Sequence, residues 1–518
     1  MNLTEEKTVT ARTLAFGLDG VDGFPVQVEV VSTPGLPNVE IIGLPDAAVR
    51  ESKDRVMTAI SNTGFDPILA KVVVNLAPAD RKKAGPAFDL PIAIGILMAS
   101  GQMQAQDHSD KLIFGELSLD GSVRPVTGAL PMVISASEHG VTEVILPADN
   151  AEEVACIQGI RVYPVENLLQ TVRHLTGKEQ IPAQCQKSYQ TIVREQVSAN
   201  DLSQVRGQFQ ARRALEVAAS GGHNMLMIGV PGSGKTMLAR CLPSILPPLT
   251  FQESLETTRI HSIAGKLQPG AGLMVTRPFS APHHTASVSS LIGGGSNARP
   301  GEVSLSHNGV LFLDELPEFS RKTLESLRQP LEDGTVSVTR VQNQATYQCS
   351  FMLVASMNPC PCGYYGSKQR ACRCSASDIR RYLDRISGPL LDRIDIQIEV
   401  DAVPVQEMED SAENESSATV AARVAKAREI QRARYAQEGI FCNAQLTSPM
   451  IRKYCKLNAD ASRFLQTAIE RMHMSMRAYN RILKVARTTA DLNGHETIEI
   501  TDIAEAVQYR ELDGKYWR

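Results

Sequence analysis

Three short stretches of this chain carry residue types at spacings that do chemistry. GVPGSGKT, residues 229 to 236, follows the strand-like NMLMI and precedes the helix-like MLARCL, the context that a phosphate-binding loop demands. There Gly229, Val230, Pro231, Gly232, Ser233 and Gly234 let backbone amides curl around phosphate oxygens at a helix N-terminus. Lys235 reaches the β and γ phosphates, and Thr236 places a hydroxyl on magnesium. The expected ligands are ATP and magnesium. VLFLDE, residues 310 to 315, reads as a buried strand ending in Asp314, positioned for magnesium, and Glu315, positioned to activate water. FMLVASMN, residues 351 to 358, is a third apolar strand, and it ends in Asn358, a side chain able to orient the attacking water.

Four of the ten cysteines, Cys360, Cys362, Cys372 and Cys374, lie directly after that asparagine as C-x-C, nine residues, C-x-C. A disulfide pair, a structural metal and a reactive thiol site are the alternatives. The other six cysteines are scattered singly, and the N-terminus has no basic region followed by an apolar core. No segment reaches the ~18 apolar residues of a membrane span. The expected location is therefore cytoplasmic, where disulfides are rare and clustered thiolates favour zinc. A zinc there braces a surface loop and takes no part in hydrolysis. The same loop carries Tyr364, Tyr365, Lys368, Arg370 and Arg373, a mixture suited to phosphate pairing and base stacking, or to plain solvation.

Two arginine-bearing stretches follow. In PLLDRIDI, residues 389 to 396, Arg393 stands after a leucine pair and before a short apolar run, where it is either a solvated or salt-bridged side chain or, in a ring ATPase, one that could reach the γ-phosphate held by a neighbour. In SMRAYNRILKVARTTADL, residues 475 to 492, Met476, Tyr479, Leu483 and Ala486 recur at helical spacing while Arg477 and Arg481 lie four apart on another face. Either of these arginines could close a lid onto nucleotide.

The elements that must position these groups are α/β in type. Residues 1–172 alternate β-like runs such as FPVQVEVVST and KVVVNLAP with helical patterns, 173–200 reads as a linker, and 201–404 forms a second α/β unit holding the cysteine loop 358–374. Residues 405–418 are acidic and polar and read as a mobile loop, and 419–518 as a helical lid. The chain has 518 residues and a net charge of −4, so a nucleic-acid partner must be met by a local basic stripe or pore.

Taken together, the phosphate loop, VLFLDEL, SMNPCPCGYYG, LLDRIDI and SMRAYNRILKVARTTADL resemble the ComM/YifB family of magnesium-chelatase-like AAA+ ATPases over essentially the whole chain. The resemblance implies an N-terminal Lon-protease-like α/β domain, a central AAA+ P-loop domain and a C-terminal helical lid. It makes Asn358 the first sensor, Arg393 an arginine finger acting across subunits and Arg477 the sensor of the lid. It also implies two insertions. The first includes SAPHHTASVSSLIGGGSNARPGE, whose glycines Gly293 to Gly295 suggest a mobile loop, with His283 and His284 read as structural. The second is a hairpin around GTVSVTRVQNQATYQCS with Arg340 near its tip, facing the pore of a ring. Arg340, Lys368, Arg370 and Arg373 are the expected DNA contacts.

The N-terminal region resembles the proteolytic domain of Lon in DRKKAGPAFDLPIAIGIL and GELSLDGSVRPVTGALP. Ala87 stands where the nucleophilic serine belongs and Leu130 where the lysine belongs, which removes the chemistry. Lys82 and Lys83 beside that turn are either candidate phosphate contacts of a non-proteolytic platform or merely solvated. The reading is an ATP-driven motor, a homo-oligomer and specifically a hexamer, acting on single-stranded, forked or branched DNA. The family further implies helicase-driven branch migration in natural transformation. The rival is a chelatase-like or chaperone-like motor that remodels a protein partner.

Overall fold

Strict alternation makes FPVQVEVV a half-buried strand: Phe24, Val26, Val28 and Val30 are buried while Pro25, Gln27 and Glu29 are not. The computed structural model describes residues 10–104, 106–186, 188–194, 200–267, 272–295, 298–339, 344–367, 370–402 and 414–517. The chain divides into two compact units, Met1–Glu195 with Phe251–Val275, and Gln196–Thr250 with Thr276–Arg518.

The first unit is built on seven strands: β1 (Thr10–Asp19), β2 (Asp22–Thr33), β3 (Asn38–Ile42), β4 (Lys71–Ala77), β5 (His108–Ile113), β6 (Glu143–Pro147) and β7 (Arg161–Val165). They form one mixed sheet in the order β3-β4-β2-β1-β5-β6-β7, antiparallel at β1–β2 and β2–β4 and parallel elsewhere. The helix Asp89–Ala99, DLPIAIGILMA, is buried at every residue, which explains why it shows a continuous apolar run in place of an amphipathic stripe. Ala87 and Leu130, the two positions of the missing dyad, join one apolar cluster with Phe114, Val126 and Val133.

Lys83 is not a phosphate contact. Its backbone pairs with Leu44 and Asp46, which turns the side chain inward, and its ammonium donates to the carbonyls of Arg81, at 2.9 Å, and Pro78. Burial pushes this lysine below its ordinary pKa. Lys82, beside it, is exposed. The stretch expected as a linker is partly pinned to this unit. Gln184 N donates to Val162 O at 2.8 Å, the Gln186 amide donates to Ile157 O and Ile160 O, and Ile181 is buried. The helix Phe251–Ile263 lies between the phosphate loop and Asp314 in sequence, yet it belongs to this unit, where Ser262 Oγ donates to buried Glu153 at 2.5 Å.

In the second unit β8 (Met225–Ile228), β9 (Phe279–Ser280), β10 (Val310–Leu313), β11 (Met352–Met357) and β12 (Ile396–Glu399) form an all-parallel sheet in the order β9-β10-β11-β8-β12. β8, β10 and β11 are buried at every residue, as strands covered on both faces must be. The C-terminal helices share this core: Val420, Val424, Ile482 and Leu483 cluster with Leu238, Val310 and Val354. The glycines expected as a mobile loop are in part ordered, since Gly293 and Gly294 pair with Pro300 and Arg299. A Cβ on Gly293 would lie 2.6 Å from Arg299 O, so only glycine permits that approach. Arg340 and Lys368 lie outside the described residues, as do 405–413 of the expected acidic loop. Among the described residues no helix is long and apolar enough to cross a membrane.

Candidate active site

In a parallel sheet the ligand crevice lies at the carboxyl ends of the strands, and three of the expected groups leave the sheet there. The phosphate loop follows β8, Asp314 and Glu315 follow β10, and Asn358 follows β11. Register does the fine positioning. Because Leu313 pairs with Ala355, the next residues, Asp314 and Ser356, come side by side. The Ser356 hydroxyl donates to Asp314 Oδ1, Thr236 Oγ1 donates to Oδ2 at 2.8 Å, and Glu315 N donates to Oδ1 at 3.1 Å. The carboxylate is thus fixed beside the hydroxyl with which it would share a magnesium ion, and this oxygen pair suits that hard cation.

Lys235 opens the helix Lys235–Ile245, capped by Gly234, and its ammonium donates to Gly229 O at 2.8 Å and Val230 O at 2.9 Å, with Asn358 Oδ1 at 3.4 Å. Burial pushes its pKa down, opposed by the charges of Asp314 and Glu315. The ammonium curled back onto the loop carbonyls lies in the cradle that phosphate oxygens would enter. Glu315 takes a left-handed conformation, φ 53°, which turns its side chain out of the strand's alternation. Its Oε2 lies 3.5 Å from His284 Nδ1. Ser356 was not singled out in the sequence, and His284, expected to be structural, instead lies against Glu315. A serine inside an otherwise apolar strand was the signal for Ser356, whereas the adjacent histidines marked a position without naming its partner.

Other expected residues have different partners. Arg393 donates to Pro389 O at 2.5 Å and pairs with Glu332 of its own chain. Arg477, with 73% of its side chain exposed, pairs with Asp392 at 2.9 Å, and Arg481 pairs with Asp395 at 2.8 Å. The motifs LLDRIDI and SMRAYNRIL are therefore joined by two ion pairs. Asp395 also lies 2.9 Å from His223 Nδ1, whose Nε2 is 2.8 Å from the Thr488 hydroxyl. Arg370 stacks over the Tyr364 ring at 4.7 Å, and Arg373 is exposed.

The cysteine loop brings its four sulfurs within 4.8 Å of one another, with Cys360–Cys362 at 3.4 Å, Cys362–Cys372 at 3.6 Å and Cys360–Cys372 at 3.7 Å. A tetrahedron with Zn–S bonds of about 2.3 Å has sulfurs about 3.8 Å apart, so the donor set fits zinc. The backbone N–H of Arg373 pulls the Cys362 thiol down to about 6. The loop also abuts the phosphate loop: a Cβ on Gly363 would lie 2.7 Å from the Pro231 ring.

The family of magnesium chelatase subunit ChlI matches residues 201–408, a second ChlI segment matches 28–150, and the ChlI C-terminal segment matches 414–510. The chain is 42% identical to competence protein ComM of Haemophilus influenzae over 500 residues, covering 95% of this chain and 96% of that protein. It is 42% identical to YifB of Escherichia coli over 495 residues, again 95% of this chain and 96% of that protein. The chain belongs to the ComM/YifB family. Its second unit holds an AAA+ domain of the magnesium-chelatase type and the helical C-terminal region. Lon protease of Brevibacillus choshinensis is 24% identical over 191 residues, 35% of this chain and 24% of that protein.

Proposed function

We propose that this ComM/YifB-family ATPase is a ring-forming, cytoplasmic motor that moves on DNA and drives branch migration, so that incoming single-stranded DNA is integrated during natural transformation. The observation that carries the motor chemistry is the gathering of Lys235, Thr236, Asp314, Glu315 and Asn358 at the ends of three adjacent parallel strands. The name of the Haemophilus relative supports the competence context.

In this reading Lys235 would leave its loop carbonyls for the β and γ phosphates of ATP, and Thr236 and Asp314 would hold magnesium. Magnesium, when bound, neutralises developing charge on the phosphate oxygens. Glu315 accepts a proton from the attacking water, Asn358 orients that water, and His284 steadies the carboxylate. Arg393 exchanges Glu332 for the phosphate of a neighbouring subunit, and Arg477 reports nucleotide to the lid. The four cysteines would hold zinc, which would brace the loop that abuts Pro231. The first unit serves as a non-proteolytic platform, with Ala87 and Leu130 in place of a dyad.

The test is the ATPase rate of the purified protein with and without single-stranded, forked and junction DNA. The proposal expects stimulation by DNA, weakening as salt rises. An ATPase indifferent to every DNA and stimulated by a protein partner would replace it with the remodelling reading.

A further inference from the structure

A cleft of about 720 Å³ in the second unit lies outside the nucleotide site. One wall is the turn 317–321, and the other is the helix Ala376–Leu383 with Asp384 and Arg385. Four arginines line it, Arg321, Arg380, Arg381 and Arg385, against two acids, Glu318 and Asp384. Arg385 ties the walls together, donating to Pro317 O at 3.2 Å and to Glu318 at 2.9 Å, which satisfies one of those acids. Arg381, 79% exposed, stands 3.7 Å from Asp378. Arg321 and Arg380 are exposed and form no salt bridge among the described residues. The charge of Arg321 also acts on Glu325, yet on a chain of net charge −4 the cleft keeps a local excess of positive charge, with four arginines against Glu318 and Asp384.

Guanidinium groups gathered in one cleft repel one another unless an anion is shared between them. Their planar forks match pairs of phosphate oxygens. The cleft is far larger than one phosphate and open along its length. Its one aromatic, Phe319, is buried, so it offers backbone contacts without base stacking. Its position also bears on the motor. Pro317 follows Glu315 by two residues, and the helix of the opposite wall is capped by Ser375, next to Cys374, whose Oγ accepts from Asp378 N at 3.2 Å. A ligand spanning the cleft touches both the turn that leaves the catalytic glutamate and the helix that leaves the cysteine loop.

We propose that this cleft holds the phosphodiester backbone of a single nucleic-acid strand, gripped by Arg321, Arg380 and Arg381. The proposal rests on the DNA reading of the motor and assigns contacts that the sequence did not single out. The experiment measures binding of a fluorescein-labelled oligothymidylate to the full chain by anisotropy across a salt series, comparing wild type with Arg321→Glu/Arg380→Glu. Each phosphate contact on a single strand contributes a slope of about 0.7 in log affinity against log salt, so losing two contacts should flatten the slope by about 1.4. Affinity at low salt should fall about tenfold or more. Arg321→Lys/Arg380→Lys should retain the wild-type slope, and Arg321→Gln/Arg380→Gln gives the same comparison if the reversed pair misfolds. Wild-type affinity and slope in the Glu and Gln pairs would overturn the cleft while leaving DNA binding intact. Absence of oligonucleotide binding by wild type at every salt concentration would overturn the DNA reading and the cleft together.

Discussion

Asp314 receives three hydrogen bonds at once, from Ser356, Thr236 and its neighbour's backbone, and this defines the residue scale of the site. A hydrogen bond to a charged group contributes about 1.5–3 kcal/mol. Ser356→Ala should therefore raise the magnesium needed for half-maximal ATPase about tenfold with little change in the saturated rate, and an unaltered magnesium titration would refute that role. Lys235→Ala should lose ATP binding, whereas Glu315→Gln should bind ATP yet hydrolyse it far more slowly. Fluorescent-nucleotide binding and phosphate release separate the two. Lys235, Thr236, Asp314, Glu315 and Asn358 were legible because each belongs to a local pattern of strand followed by a polar group. Ser356 on Asp314, His284 on Glu315 and Glu332 on Arg393 were not, because they depend on sheet register or on segments far apart in sequence.

At the scale of elements, two junctions carry the account. The first is the cysteine loop, where metal analysis should find about one zinc per chain, since thiolate sites give roughly 10 kcal/mol or more of apparent binding. Cys360→Ser/Cys374→Ser should abolish it, and stoichiometric disulfides without metal under reducing conditions would reject the site. The second joins the helix Met476–Asn493 to β12 through Asp395. Burial alone would raise the Asp395 carboxyl, but the His223 hydrogen bond and the Arg481 guanidinium outweigh it and hold the group below the usual carboxylate range. A depressed carboxyl stabilises fully above its unfolded pKa of about 4, and this stabilisation is lost as pH falls through the folded value. Thermal melts should show a loss on acidification that Asp395→Asn removes, while that variant costs about 3–5 kcal/mol at neutral pH by stranding buried partners. A variant melting like wild type at both pH values would contradict this. The alternating strands and the amphipathic helix at 476–493 were readable from periodicity. The placement of Phe251–Ile263 in the first unit was not, because its buried residues are mostly hydroxyls, Ser254, Thr257, Thr258 and Ser262, and leave no apolar stripe to read.

At the scale of the whole molecule, the account requires a shared site. Arg393 pairs with Glu332 within its own chain, and in the proposed ring it would exchange that partner for the phosphate held by a neighbouring subunit, where a supplied arginine is worth ~10³ or more in rate. Mixing Arg393→Ala with Lys235→Ala subunits should restore part of the ATPase that neither has alone, and no restoration in mixed rings would count against the shared site. The central claim is movement on branched DNA, and conversion of labelled three-strand junctions to products tests it most directly. The account predicts that wild type converts them with ATP and magnesium, and that Glu315→Gln binds the same junctions without converting them. Brisk ATP hydrolysis by wild-type protein that neither binds nor moves any junction at low salt would contradict it.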